Sequence, residues 1–295
     1  MFFSNFEFLI AWRYLRAKRS DGGISAMTWI SLIGITLAVM ALIVTLAVRS
    51  GFRHEFVESI LGANAHITLY NSGKLGSTGG YSRGIENYKL ISEKLNGFDS
   101  VLNAAPLVKG QLMASGNGRN IGVEVFGIQK KDLMFTKKVV EPEKSYGDLE
   151  NFTDGLALGL GVARELGVFV GDKVQLTSPD GLKTAFGTSP RVSLFEVVYI
   201  FQVGRYDIDR TRVYMPFKEA QIFFNRENSA DEVEITLFKP ESIKEELKQK
   251  INSTFPQLSY WTWRDSSGAF LQALEMEDNV MFLILSILVL IASMN

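Results

Sequence analysis

The chain contains no cysteine. That excludes disulfides, thiolate metal sites and a cysteine nucleophile, and leaves the compartment open. Histidine is almost absent: His54 and His66 are the only two. They form no H-x-x-x-H spacing, so a histidine-rich metal centre is excluded. No Gly-x-x-x-x-Gly-Lys-Ser/Thr motif occurs. The glycine-rich stretch LGSTGGYSRG (75–84) lacks the lysine and the strand–turn–helix setting, and reads as a flexible loop. Net charge is −1, so no global field draws the chain to nucleic acid. Charged residues make up 21% and hydrophobic ones 46%, a balance suited to a globular domain with a smaller membrane fraction.

The main positive feature is a charge-free run, ISAMTWISLIGITLAVMALIVTLAV, from Ile24 to Val48. As a helix it reaches roughly 37 Å at ~1.5 Å per residue, enough to cross a bilayer. A signal peptide has a shorter apolar region ending in a small-residue cleavage site, whereas Arg49 follows directly here. Arg13, Arg16, Lys18 and Arg19 lie upstream and only Arg49 and Arg53 close downstream, which puts the N-terminus in the cytoplasm. Residues 1–23, with Phe8, Leu9, Trp12 and Leu15 on one face, read as an interfacial helix. A second apolar run covers 279–295, and the chain stops inside it. A helix ending there leaves carbonyls and a carboxylate in or near lipid, so the expectation is a longer protein whose second membrane helix is incomplete here.

The intervening residues, 49–278, read as an α+β domain on the outer side. Strand-like runs are AHITLY, IGVEVFGI, DKVQLT, SLFEVVYIFQVG, TRVYMPF and EVEITLF. Helix-like runs are IENYKLISEKLNGF, ARELG closed by Gly167, and PESIKEELKQKINSTF starting at Pro240. The layout suggests two subdomains, with a β-rich piece at 112–212 inserted between flanking halves. Ser266 or Ser267 is placed to cap the helix leading to the second span.

Chemistry-bearing patterns are few. A Ser-His-Asp site stays open in principle, because its partners meet only in space; polar residues at a membrane–domain junction are the plainer reading of the histidines. Arg205, Asp207, Asp209, Arg210 and Arg212 read as a solvated hairpin rather than an acid/base pair. ASGNGRNIG reads as a hairpin turn.

One stretch stands out. SPDGLKTAFGTSPR (178–191) is bracketed by prolines, and a bare Phe186 sits between small and polar neighbours at or near its tip.

Three segments resemble the lipoprotein-releasing permease subunits of the LolC/LolE family, within the wider MacB-like superfamily. RYLRAKR, SLIGITLAVMALIV and GFRHEF…ILG are similar to the family's N-terminus. LALGLGVARELGVFVGDKVQL resembles its helix–Gly–strand step, and WRDSSGAFLQALEMEDNVMFLILSILVLIASMN its passage into the second membrane helix. The resemblance implies a multi-pass permease of a Gram-negative inner membrane with a large periplasmic domain between its first two membrane helices. It implies no catalysis and no cofactor in this subunit. ATP and Mg would sit on a separate LolD-like ATPase, and a second permease subunit, identical or homologous, would complete the complex. The cargo would be lipoproteins, passed to a periplasmic LolA-like carrier.

The resemblance makes 178–191 the carrier-docking hook, with Pro179, Lys183, Phe186, Gly187, Pro190 and Arg191 as contacts. The alternative is Phe186 folded back on its own domain. For the lipoprotein acyl chains, the outer ends of the two membrane helices point to Val44, Val48, Met276, Val280 and Met281. Alternatives are a MacB-like permease exporting another substrate, and a membrane-anchored periplasmic adaptor or sensor. A LolC-type, LolE-type or combined role is left open.

Overall fold

The computed structural model describes residues 22–72, 84–184, 187–241 and 243–294, with Phe6, Leu9, Ile10 and Arg13; for 179–188 the description is of the backbone. The chain divides into two compact units, Met1–Glu55 with Gly268–Asn295, and Phe56–Ser267.

The first unit is helical. Helix α1, Gly22–Ala63, is 42 residues long, about 63 Å at ~1.5 Å per residue. Among the described residues it is the one helix long and apolar enough to cross a membrane, and none of its most apolar stretch is buried. A long helix, α10, Gly268–Met294, ends the chain. It exposes Val280, Phe282, Leu283, Ile287 and Ile291. Hydroxyls inside both helices bond the carbonyl one turn back, Thr36 to Leu32 and Ser286 to Phe282, each at 2.7 Å. Each of these hydroxyls thus has its donor satisfied within its own helix, without help from lipid. The runs 24–48 and 279–295 fall within these helices, apart from Asn295, which lies outside the described residues. Most of the expected interfacial helix, including Phe8, Trp12 and Leu15, lies outside them too.

Among the described residues the second unit is built on ten strands: β1 Ile67–Tyr70, β2 Val101–Gly116, β3 Arg119–Ile128, β4 Lys144–Gly147, β5 Leu156–Gly159, β6 Lys173–Thr184, β7 Gly187–Gln202, β8 Arg212–Pro216, β9 Glu232–Leu237 and β10 Ser259–Thr262. Their order is β10-β1-β9-β2-β3-β8-β5-β7-β4, and β6 joins β2 to β7. The path β2-β3-β8-β5-β7-β6 therefore closes on itself, while β10-β1-β9 extends β2 as an open sheet. Pairs β3/β8 and β5/β7 are parallel and the rest antiparallel.

Helices cover one face: α2 Tyr88–Asn96, α5 Leu160–Leu166, α7 Phe217–Phe223 and α8 Glu245–Thr254. Ile91, Leu95, Val162, Leu166, Phe217, Phe223, Leu247 and Ile251 pack there against the strands' inward residues. The opposite face carries a second core of Leu107, Phe126, Tyr214, Phe152 and Phe201. It is roofed by two single-turn helices, α3 Lys130–Leu133 and α4 Lys137–Val140, and a 3-10 turn, Leu149–Asp154. Strand β9 shows the period-2 logic: Val233, Ile235 and Leu237 are buried, and Glu232 and Glu234 take the other side.

Several expectations change. The domain boundaries at 49 and 278 fall inside α1 and α10, because both helices continue beyond their apolar stretches; the compact unit starts at Phe56 and ends at Ser267. The boundary at 112 falls inside β2, a strand that composition hides behind Pro106 and Gly110. Gly110 is required there, since a Cβ would stand 2.2 Å from the Phe224 ring. Helix α8 begins at Glu245, not Pro240. A capping box, Thr262 with Asp265, starts the one-turn helix α9, Trp263–Ser266, and Ser267 stands directly before α10. The run 205–212 is no hairpin: Tyr206–Thr211 form helix α6, which leads into β8. Asn117 and Gly118, at φ 49° and 77°, make the expected β2–β3 turn.

Candidate functional site

The stretch 178–191 is a continuation of β6 and β7 rather than a loop between them. Ser178 pairs with Arg191, then Leu182 with Ser189, Lys183 with Thr188 and Thr184 with Gly187. Between the two sets of pairs the register shifts. Pro179, Asp180 and Gly181 on one strand face Pro190 alone on the other. Proline has no N–H to give a ladder, so both prolines sit where the ladder is interrupted. Pairing resumes beyond the interruption, and the two strands continue as a two-stranded finger to Thr184 and Gly187. Its connection, Ala185 and Phe186, lies outside the described residues.

At the finger's base Pro190 is exposed and Arg191 half-buried. The Arg191 guanidinium donates to the carbonyl of Ile222, at the end of α7. Exposed Val192 and Leu194 continue β7 below it, and Met113 is exposed on β2, on the other side of β6. A cavity of about 870 Å³, lined by Gln111, Met113, Ile121, Glu124, Thr177 and Pro190 among others, opens beside them.

At the end of α1, no basic residue of the helix itself stands in its last turn to meet its carbonyls. Arg212, the first residue of β8, does so from 149 positions away. It donates to the Ala63 carbonyl at 2.7 Å and to Asn64 Oδ1 at 3.0 Å. Its guanidinium also lies 4.4 Å from the Phe126 ring centre. His66 makes a second tie. Its Nδ1 accepts the Leu237 N–H at 2.8 Å, so Nε2 carries the hydrogen and donates to the Leu61 carbonyl at 3.1 Å. Burial pushes the imidazole pKa down. His66 is thus a neutral structural bridge, and His54 lies exposed on α1. Among the described residues no three His, Asp or Glu side chains come together to hold a metal.

Asp209 accepts the Val203 N–H at 2.8 Å and the Gly204 N–H at 3.2 Å, fixing the turn into α6. A charged cavity of about 510 Å³ includes Tyr70, Lys109, Arg226, Asp231, Glu232 and Trp261. Arg226 and the Lys109 N–H both engage Asp231, and Lys109 Nζ pairs with Glu124 at 3.1 Å. Burial, reinforced by Glu234, Asp231 and Glu124 against the opposing pull of Lys109, raises the Glu232 carboxyl to about 7.

In the helical unit, Val44, Val48, Met276 and Val280 are exposed and Met281 is half-buried. Arg49 and Arg53 of α1 both pair with Asp278 of α10, Arg53 at 3.0 Å. All five predicted acyl-contact residues lie within five positions of that cluster along their own helix.

A family model described as the MacB-like periplasmic core domain matches residues 28–254. The lipoprotein-releasing system transmembrane protein LolC of Neisseria meningitidis is 30% identical over 98% of this chain and 68% of its own length. The chain belongs to the LolC/LolE family of MacB-like permeases. A LolE from Haemophilus influenzae is 26% identical over 99% of the chain and 69% of its own. The crystal structure of the periplasmic region of MacB from Actinobacillus actinomycetemcomitans aligns at 11% identity over 72% of this chain and 95% of that one, with a TM-score of 0.45.

For a LolC/LolE-family chain, the sequence pointed to the finger's position but not to its anchorage. Arg212 was visible only as one charge in an alternating run. Asp278 was one of three acids before the second apolar stretch. The available signal was spacing: two arginines four residues apart just past one apolar run, and an acid at the start of the other.

Proposed function

We propose that this chain is the transmembrane subunit of an ABC transporter that extracts outer-membrane lipoproteins from the inner membrane and hands them to a LolA-like periplasmic carrier. The observation that carries this reading is the match to a lipoprotein-releasing LolC at 30% identity across 98% of the chain. In this reading α1 and the 279–295 part of the chain cross the inner membrane, the N-terminus is cytoplasmic, and Phe56–Ser267 is periplasmic. The subunit hydrolyses nothing itself. ATP and Mg belong to a LolD-like ATPase, and a second permease subunit, identical or homologous, completes the path.

The acyl chains need an apolar surface open to the outer leaflet, and Val44, Val48, Met276, Val280 and Met281 supply it. The finger is the carrier dock. Pro179 and Pro190 limit its backbone freedom, which lowers the ordering cost of binding. In this reading Phe186 is the apolar anchor that the carrier buries, and Lys183, Gly187 and, from the finger's base, Arg191 are further contacts.

The test is reconstitution of the full complex in proteoliposomes with a lipoprotein. ATP-dependent transfer to the soluble carrier is expected. Phe186→Asp should abolish carrier pull-down while ATPase assembly persists. A complex that hydrolyses ATP yet leaves lipoprotein in the bilayer would overturn the function, and unchanged pull-down would overturn the dock.

A further inference from the structure

Two arginines one helical turn apart converge on a single carboxylate from another helix. Arg49 and Arg53 occupy the same face of α1, because residues four apart are stacked neighbours. One Asp278 oxygen takes Arg49 and the other takes Arg53. Few backbone positions of α1 and α10 approach each other closely, so the contact is made by the reach of the arginine side chains. Asp278 is half-buried while its neighbours Glu275 and Glu277 are exposed. It shares one stripe of α10 with Leu271, Leu274, Met281 and Leu285, at spacings of three and four residues. A lone acid on an otherwise apolar stripe is the kind of residue that fixes how two helices meet.

Arginines just past an apolar run have an alternative, which is to extend towards water or lipid headgroups. Here both bend to the same acid, and one carboxylate satisfies two guanidinium groups with charge-assisted bonds. Removing the acid leaves two cations facing each other across one turn with nothing between them. Removing one arginine leaves the other pair intact.

We propose that Asp278 is a positioning residue that ties α1 to α10 at the level of the acyl-contact surface, and so sets the width of the opening between them. This rests on the functional reading above. Val44 and Val48 lie just before Arg49 on α1; Met276, Val280 and Met281 flank Asp278 on α10. Any change in the spacing of Arg49 and Asp278 changes the spacing of those side chains too. The ion pair is therefore the part of the site that decides whether an acyl chain finds a slot or a gap.

These 295 residues carry no cysteine, so within them the engineered thiols are the only sites a label can take. Spin labels at Ser50→Cys and Glu277→Cys, both exposed positions, report the separation of the two helices in the full complex in nanodiscs. The wild type should give a narrow distance distribution. Asp278→Ala should broaden and lengthen it by about one helical turn or less, some 5 Å. The charge swap Arg49→Asp, Arg53→Asp, Asp278→Arg should restore the narrow distribution. Lipoprotein release in unlabelled complexes should fall about tenfold in Asp278→Ala, the scale of one lost charge-assisted bond, and recover in the swap.

Unchanged distances in Asp278→Ala overturn the proposal, as does a swap that leaves them broadened. Distances that respond as expected in a complex that releases no lipoprotein even as wild type overturn the functional reading and leave the tie standing.

Discussion

Replacing Arg212 tests how the end of α1 is held to the sheet. Arg212→Met keeps the length and apolar stem but removes both hydrogen bonds, to the Ala63 carbonyl at 2.7 Å and Asn64 Oδ1 at 3.0 Å, and the contact with the Phe126 ring. Each charge-assisted bond contributes about 1.5–3 kcal/mol, and the ring contact ~0.5–2 kcal/mol. Relief of arginine desolvation and of its side-chain ordering, ~2 kcal/mol, offsets part of this. The net loss is about 3–4 kcal/mol, because Ala63 keeps a carbonyl at a helix end whose own last turn carries no cation. At ~2–4 °C per kcal/mol for a domain of this size, the melting temperature should fall by about 10 °C. Glu234 adds a pH signature. Burial raises its carboxyl pKa and Arg212 pulls it down. Without Arg212 the ionised form is worse placed, so the deficit should be larger at pH 8 than at pH 5. Thermal unfolding followed by near-UV circular dichroism in detergent gives the loss, and hydrogen exchange at residues 61–64 locates it. Arg212→Lys, which keeps the charge but not the fork, should lose about half as much. A loss below about 1 kcal/mol in Arg212→Met, with unchanged exchange at the helix end, would refute the argument.

Glu232 should make the protein less stable as pH rises. Its folded pKa of about 7 lies above the ordinary value of 4.5, so between those values the native state holds a proton that the unfolded chain has released, and stability falls across that window. Glu232→Gln should flatten urea-unfolding midpoints between pH 5 and 8, with a gain at pH 8 of at most ~3 kcal/mol; a midpoint that still declines in the variant would assign the effect elsewhere. Phe152, a residue of the 3-10 turn, is fully buried, and Phe152→Ala should cost about 3–5 kcal/mol in chemical denaturation. Gly118, at φ 77°, should resist Val: strain of ~1–3 kcal/mol is expected, whereas Gly118→Asn should be nearly silent in the same measurement.

Much of the fold was legible where one residue's environment is set by its neighbours in sequence. The alternation in EVEITLF, the four-residue recurrence of Ile243, Leu247 and Ile251 leading through α8 and the Asn-Gly of the β2–β3 turn each carry their own geometry. Strand β2 was illegible because Pro106 and Gly110 argue against a strand locally, and only the close approach of the Phe224 ring makes Gly110 necessary. The run 205–212 misled for a similar reason. Alternating charges suit a solvated turn until Asp209 is used to cap Val203 and Gly204, and Arg212 is drawn to another helix.

By itself the sequence determined the long apolar helix, the α+β character of the region beyond it and the family to which the chain belongs, since these rest on hydropathy, period and motif, all properties of contiguous residues. Only the tertiary structure decided that β2, β3, β8, β5, β7 and β6 close into a ring, that residues 178–191 are a strand pair broken at its two prolines, and that Arg49 and Arg53 share Asp278. These join residues from different parts of the chain, in the last case 225 positions apart. An ion pair or a sheet closure at that separation leaves no periodic trace, because its partners are selected by the packing of everything between them.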